Sequence, residues 1–582
     1  MAIGAGGVLE HVPTSPAPLR VAFTDLISGP ATGVGDGLGD GTIVTIWGWG
    51  FGDTQGTSKV YFTDISAGKR EAAHIYYWKK ADGVLPSGPA NLYESHSLYE
   101  IAFSIPTGSV TGLGSITVEV DSVESNGLPF TIRSGNIIFV DPSGANLSGT
   151  TGSWADPFAS INGDRRGNTY QLYALGNANL VSGDIVYSKG VAEVEQSGGG
   201  ASTTVFLRTL VGTEARPIAL VSYPNTLATA HGTQQGFLPS TCTAIHISKF
   251  SIRVGSVDPD LPPNAGNPIA GDEHIRMTEF GRAVGNHLTQ NDDTVFTGWG
   301  GAFVSGGAGF NCTLKGNFID SLGGPNSSRY QHTMYMSVRN ESTVTVAPTI
   351  EYNYLKDNDV FFGIHCYDEA YGSAIGTVTG TLKIKHNVII NQRGAGINVA
   401  SIDRDAPFDG GWGCDIEVHN NLLINVGLGE LQEDNVSNAQ AIRLGGQSDG
   451  STVSVVGNTV YKWGDTTSRS VSPSDCLSIS YSDNDPIVTV ENNCFYSDFN
   501  SDWISGDDMP TGVNNAFFST DATAQSNIPS WTNNVTTDPN FTLTGSKLLQ
   551  SAGSDLNGAG SSPVDVVDIY GQVRTTTIGA TE

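Results

Sequence analysis

A short strand, a polar turn containing asparagine and a second short strand recur through this chain. They read LKGNFI (314–319), IEYNYL (350–355), IKHNVI (384–389), VHNNLL (418–423), VVGNTV (455–460) and VENNCF (490–495). Asn317, Asn353, Asn387, Asn421, Asn458 and Asn493 follow one another at steps of 36, 34, 34, 37 and 35 residues. A repeat of this length marks a solenoid, and units of two or three short strands without an amphipathic helix predict a β-solenoid. One rung cannot bury its own apolar side, whereas stacked rungs bury a continuous column. Asparagine at a fixed turn tolerates left-handed backbone and can bond to the asparagine above and below, so the repeated residue reads as structural rather than catalytic.

Composition narrows the partners. Of the 582 residues 38% are hydrophobic, enough for a large core. Asp and Glu number 58 against 29 Lys and Arg, a net charge of -29 that disfavours nucleic acid, whose phosphates need basic contacts. No run of about eighteen apolar residues is present, so no membrane insertion is expected. The opening MAIGAGGVLEHVPTSPAPLR lacks the basic start and apolar run of a secretory signal. The expectation is either a leader added for expression or release without a signal, as for viral structural proteins. The six cysteines, at 242, 312, 366, 414, 476 and 494, form no CxxC and no disulfide framework, and are expected to be buried thiols.

Residues 1–135 read as a separate module. Thr42–Trp47, Lys59–Phe62, Leu98–Ile105, Ser115–Val120 and Leu128–Ile132 are short alternating strands with glycine-rich turns, predicting a β-sandwich. The run GTIVTIWGWGFGD, then KVYF, then GSITVEVDSVESNGLPFTI, resembles the immunoglobulin-like IPT/TIG domain. That resemblance implies a spacer or binding module.

Residues 136–582 carry the repeat. VDPSGANLSGTTGSWADPFASI followed by LVSGDIVYSKG is similar to the capping segment that opens pectate-lyase-like β-helices. VTTDPNFTLTGSKLLQSAGSDLN, then VDIYG, resembles their closing segment. The expected fold class is therefore all-β: an N-terminal Ig-like β-sandwich followed by a right-handed single-stranded parallel β-helix. The resemblance is specific for fold and weak for activity, because this scaffold hosts lyases, hydrolases, epimerases, virion spikes and adhesins.

A further strand follows each asparagine turn: His332–Ser337, Gly363–Asp368, Gly396–Ala400, Ala441–Gly445 and Cys476–Ser480. Aligned by alternation, Met334, Ile364, Ile397, Ile442 and Leu477 point inward with Met336, Cys366, Val399, Leu444 and Ile479. Tyr335, His365, Asn398, Arg443 and Ser478 form the outward row between them. Thr333, Gly363 and Gly396 lie to one side, and Ser337, Tyr367 and Ala400 to the other. Rungs about 4.8 Å apart would make this a polar row suited to a sugar polymer, with the two glycines leaving backbone open to a ligand. Trp299 and Trp412 are candidate stacking platforms. The plainer reading is that outward positions merely hold soluble side chains.

An acidic polysaccharide is the expected partner. Lyase chemistry on a uronate neutralises the carboxylate, removes the C5 proton and protonates the leaving oxygen. Arg443, Arg393 or a bound Ca²⁺ suits the first task, His365 or His332 the second and Tyr335 the third. Asn398, Trp299, Trp412, Arg393 and Tyr367 would bind substrate, and Asp368 with Glu369 would hold the calcium. No organic cofactor is expected. A glycoside hydrolase of the same fold is the alternative, needing a carboxyl pair from Asp292, Asp293, Asp368, Glu369, Asp403 and Asp405. A non-catalytic glycan-binding virion fibre or adhesin, homotrimeric if a spike, is the other. Each reading places the protein outside the cell or on a virion surface.

Overall fold

The computed structural model describes residues 18–66, 68–141, 151–158, 161, 180–190, 192–193, 203–232, 235–254, 273–290, 300–305, 311–324, 327, 330–338, 344–346, 348–368, 378–401, 414–428, 440–445, 451–464, 475–480, 486–499, 503–506, 511–551, 553–561, 567–574 and 576–581. The chain opens as a β-sandwich. One sheet orders Arg20–Thr24, Ile43–Trp49, Tyr99–Ser104 and His74–Lys80 side by side. The other orders Ser28–Gly29, Leu128–Ile132, Gly112–Val120, Lys59–Asp64 and Gly68–Glu71. Neighbours run antiparallel except Ser28–Gly29, which pairs parallel to Leu128–Ile132. Alternation in Lys59–Asp64 turns Val60 and Phe62 into the core beside Ile46, Ile101, Phe103, Val118 and Phe130. Strand His74–Lys80 escaped sequence detection because a register shift between Ile75 and Tyr77 breaks its alternation.

From Ile137 onward the chain winds into a right-handed parallel β-solenoid. A turn visits three sheets in order, as in Val378–Lys385, Val388–Gln392 and Ile397–Ser401, before Asp415–His419 returns to the first. Among the described residues the sheets hold 13, 11 and 10 strands. Inward residues of all three form one column that includes Leu314, Ile319, Ile364, Ile389, Ile397, Leu423 and Ile442, each wholly buried. All six cysteines are buried and none forms a disulfide. Burial pushes the Cys312 thiol up to about 12, so it packs as a small hydrophobe.

The corner between the first and second sheets explains the asparagine repeat. Asn353 Nδ2 donates to Asn387 Oδ1 at 2.9 Å and to the Leu314 carbonyl at 3.0 Å. Its Oδ1 accepts from Asn317 Nδ2 and from the Asn317 backbone N–H. Two donors and two acceptors are thus all used within a wholly buried side chain. The ladder continues through Asn421, Asn458 and Asn493. It also extends beyond the recognised repeat, to Asn286 at one end and Asn515 at the other. Those two escaped notice because they sit 31 and 22 residues from their neighbours.

One expectation is corrected. The left-handed conformation falls on the residue before each ladder asparagine: Gly316, Tyr352, His386, Asn420, Gly457 and Asn492, with φ between 53° and 69°. That residue turns the chain, and the ladder asparagine then directs its amide into the stack. Tyr352 and His386 accept the cost of positive φ while their rings stack at 4.9 Å.

The sandwich lies along the solenoid rather than ahead of it. Its core is continuous with Phe139, Ile185, Tyr187, Val221 and Tyr223, outer-side residues of the first turns. Further along, Phe23, Trp47, Trp49 and Leu92 pack with Tyr354, Val388, Ile390, Leu422 and Ile424 of the second sheet. Leu548, Ile569 and Tyr570 of the C-terminal segment join the same cluster. Polar bonds tie the contact at several levels: Tyr187 Oη donates to the Ile43 carbonyl at 2.7 Å, and His96 Nε2 meets the His386 carbonyl at 2.7 Å. These covered faces belong to the first and second sheets.

Candidate functional site

The third sheet carries the polar row. Tyr335 pairs with His365, His365 with Asn398, Asn398 with Arg443 and Arg443 with Ser478. Ser337, Tyr367 and Ala400 make the flanking row. The rows exist because inward neighbours such as Ile364, Cys366, Ile397 and Val399 fix the register, and a one-residue slip would expose them.

Aromatic contacts knit the row together. The rings of Tyr335 and His365 stack with centroids 5.3 Å apart, and Tyr367 stacks on His365 at 5.2 Å. His332 lies 4.3 Å from His365 and stacks on Phe362. Asn398 Nδ2 donates to Nδ1 of His365 at 2.6 Å, fixing the ring's orientation. The row is not the open platform expected from its outward direction. Asn398 is 1% exposed, His365 6% and Tyr335 8%, whereas Arg443 and Tyr367 are half-buried. Large rings on adjacent rungs cover one another, which the one-dimensional alternation does not convey.

That burial sets the charge state. His365 is held down at about 3, mainly by burial, with the Arg443 charge adding to it against a hydrogen bond at Asn398. His332 is likewise held well below the ordinary imidazole range, by burial and then by His365. Both rings are therefore neutral near pH 7. Burial also lowers Arg443, whose guanidinium stays charged.

Gly363 and Gly396 do not leave backbone open to a ligand. A Cβ on Gly363 would meet the Gly396 carbonyl oxygen at 2.5 Å, and one on Gly396 would meet Leu423 Cδ2 at 2.6 Å. Close packing of the coil, not access, requires glycine here. Arg393 sits at the corner between the second and third sheets, where its Nη1 donates to the Gly324 carbonyl and lies 3.3 Å from Asp359. Trp299, Trp412, Glu369, Asp292, Asp293, Asp403 and Asp405 lie outside the described residues, as does the side chain of Asp368. Among the described residues no three His, Cys, Asp or Glu gather closely enough to hold a metal ion.

Gln331 was missed by sequence reasoning, and nothing in the strand pattern marks it. It is 2% exposed and neither amide atom has a partner. With His274 and His332, whose Nδ1 atoms are also unpartnered, it lines a cavity of about 20 Å³. That is room for one water, which needs such a polar lining. No family model, curated protein or solved structure matches the chain.

Proposed function

We propose that the third-sheet row binds an acidic polysaccharide and cleaves it by β-elimination. The observation that carries this reading is the register row itself: a phenol, a neutral imidazole, an amide and a guanidinium on four successive rungs. A uronate carboxylate seated on Arg443 would cancel the smaller of the two influences that hold His365 down, while burial, the larger, keeps the ring neutral and able to accept a proton. If the Asn398 amide turns end for end, its oxygen accepts from Nδ1–H and Nε2 becomes the base. His365 then takes the C5 proton, the C5–H electron pair forms the C4=C5 double bond, the C4–O bond breaks, and the Tyr335 hydroxyl protonates the departing oxygen. As further parts of the proposal, the solenoid is a pectate-lyase-like helix, the sandwich is an IPT/TIG-like module, and the protein acts outside the cell or on a virion, where a spike would be a trimer.

The test incubates the full chain with alginate, pectate, glycosaminoglycans, neutral glucans and xylans, each with and without Ca²⁺. Ultraviolet absorbance of the new double bond and reducing ends are read together. Both signals on a uronate polymer are expected. New ends without absorbance would replace elimination with hydrolysis, and neither signal would leave a glycan-binding fibre or adhesin.

A further inference from the structure

Where the sandwich meets the solenoid, the side chains of Asp25, Thr45, Tyr77, Glu100 and Lys249 converge, and none is more than 6% exposed. Lys249 alone comes from the solenoid. It fills the left-handed turn position, φ 62°, that glycine holds on the next two rungs as Gly285 and Gly316. A long side chain there bears a backbone cost that glycine avoids. The lysine stem runs between the modules. A Cβ built on Gly285 would meet Trp47 at 2.8 Å and Lys249 Cγ at 3.5 Å. One built on Gly88 would lie 3.3 Å from Lys249 Cγ and 3.3 Å from Glu100 Oε1, so the glutamate carboxyl borders the same stem.

The two oxygens of Asp25 are held unequally. Oδ1 accepts from the backbone N–H groups of Leu26 at 2.7 Å and Thr45 at 2.8 Å, whereas Oδ2 accepts no hydrogen bond and lies 3.6 Å from Lys249 Nζ. Two N–H donors on one oxygen polarise the carboxyl and are placed to hold an oxyanion formed by addition at Cγ. Burial pushes the Asp25 carboxyl up, which favours the acid over the carboxylate. Glu100 stands ready to carry a proton. Its Oε1 accepts from Tyr77 Oη and the Gly88 N–H, its Oε2 accepts no hydrogen bond, and burial pushes this carboxyl up as well. Thr45 Oγ1 accepts from Lys249 Nζ at 2.6 Å and also approaches the Tyr77 hydroxyl, which completes a polar path from the amine to Glu100.

The geometry points to an amide bond formed within the folded chain, joining Lys249 Nζ to Asp25 Cγ, with Glu100 as the proton carrier. The ammonium first gives a proton to Asp25 Oδ2, leaving an amine beside a carboxylic acid. The amine lone pair attacks Cγ, so the C–N bond forms and the carbonyl electrons move onto Oδ1. The nitrogen sheds a proton through Thr45 and Tyr77 to Glu100, a proton returns to Oδ2, and Oδ2 leaves as water while the carbonyl re-forms. One ammonium and one carboxylate become one amide and one water, and no oxidant or co-reactant is needed. Two buried charges vanish and the sandwich becomes covalently joined to the solenoid. Until condensation the two groups stand as an ion pair, whose energetics belong to the uncondensed chain. The bond is independent of the third-sheet row.

The full chain, purified in its folded state, would be denatured, weighed intact by mass spectrometry and digested with trypsin. Its mass should fall below the sequence value by one water. A branched fragment should join residues 21–59 to residues 209–253, uncut after Lys249. Glu100→Gln, which keeps the shape of the side chain, should give the full mass and separate fragments. So should Lys249→Arg, whose guanidinium keeps the charge but offers no amine. Circular dichroism checks that both variants fold. Wild-type chain of full mass with the two fragments separate, or a lost water that maps to other residues, would overturn the bond. A branched fragment that persists in Glu100→Gln would overturn the part given to Glu100.

Discussion

Lys249 of the solenoid reaches into the sandwich, where its ammonium lies 3.6 Å from a carboxylate oxygen of Asp25. Asp25 is wholly buried and Lys249 2% exposed. Lys249 Nζ also donates to Thr45 Oγ1 at 2.6 Å, while Asp25 Oδ1 accepts from the backbone N–H groups of Leu26 and Thr45. Burial pushes the Asp25 carboxyl up, and the attraction of Lys249 opposes it. The contact between the two modules therefore encloses a charge pair, with one member from each.

Lys249→Met should cost about 3–5 kcal/mol, because it leaves Asp25 buried without its cation. Adding Asp25→Asn should recover much of that loss, since the neutral amide needs no cation and its oxygen still accepts from the Leu26 and Thr45 N–H groups. Urea unfolding of the full chain measures both. A double variant no more stable than the single one would show that the pair is not what the mutation disturbs.

Asn387→Ala should cost about 2–4 kcal/mol, as the bonds from Asn353 and to Asn421 are lost and their buried partners go unmet. Asn391 offers an internal control. It donates to Asp357 at 2.6 Å in a parallel but exposed stack and has φ 53°, so Asn391→Gly, which adds no strain at that φ, should cost less than about 1 kcal/mol. Equal losses in urea titrations would contradict the buried-ladder account.

Gly394→Ala should be more damaging than Gly396→Ala. A Cβ on Gly394 would fall 1.5 Å from the Phe361 carbonyl oxygen, which is backbone, whereas the Gly396 clash is with the end of a leucine side chain. Overpacking of the second kind costs about 1–3 kcal/mol. Thermal unfolding should rank them in that order, and the reverse order would place the constraint elsewhere.

Stability should fall as pH drops from about 7 to about 5. The folded state holds His96 and His365 at about 3 and His274 at about 4, chiefly by burial, against an ordinary value near 6.5. In that window the unfolded chain binds more protons, so stability rises with pH and is lost as pH falls through it. Asp25, Glu100 and Glu273 are pushed up by burial and act with the opposite sign. His365→Phe should reduce the slope by up to about 1.4 kcal/mol per pH unit. A slope that does not change would mean that His365 is not held neutral.

Tyr335→Phe and His365→Gln should each lower turnover of the polysaccharide by about 100-fold or more, with little change in unfolding midpoint. Unchanged turnover in both would remove the row from the chemistry.

The row from Tyr335 to Ser478 was legible because strand alternation has a strict period of two and the inward set is uniformly apolar. The ladder was legible through its spacing. Its left-handed residue was not, since Tyr352 and His386 carry no mark of the conformation they adopt. Nor could alternation reveal that neighbouring rings would bury His365, or that Gly363 and Gly396 answer to crowding. Contacts such as Lys249 with Asp25 join residues more than two hundred positions apart, beyond any local pattern.

A repeat protein ordinarily grows or shrinks by whole coils with little penalty elsewhere. Here the sandwich is a splint fixed at several marks, Ile43 against Tyr187, Asp25 against Lys249 and His96 against His386. Deleting one coil between the first and last of these would carry the His386 carbonyl about 4.8 Å along the axis, out of reach of His96. The N-terminal module thus gauges the length of the rod it lies against, and change in coil number is confined to the stretch beyond its reach.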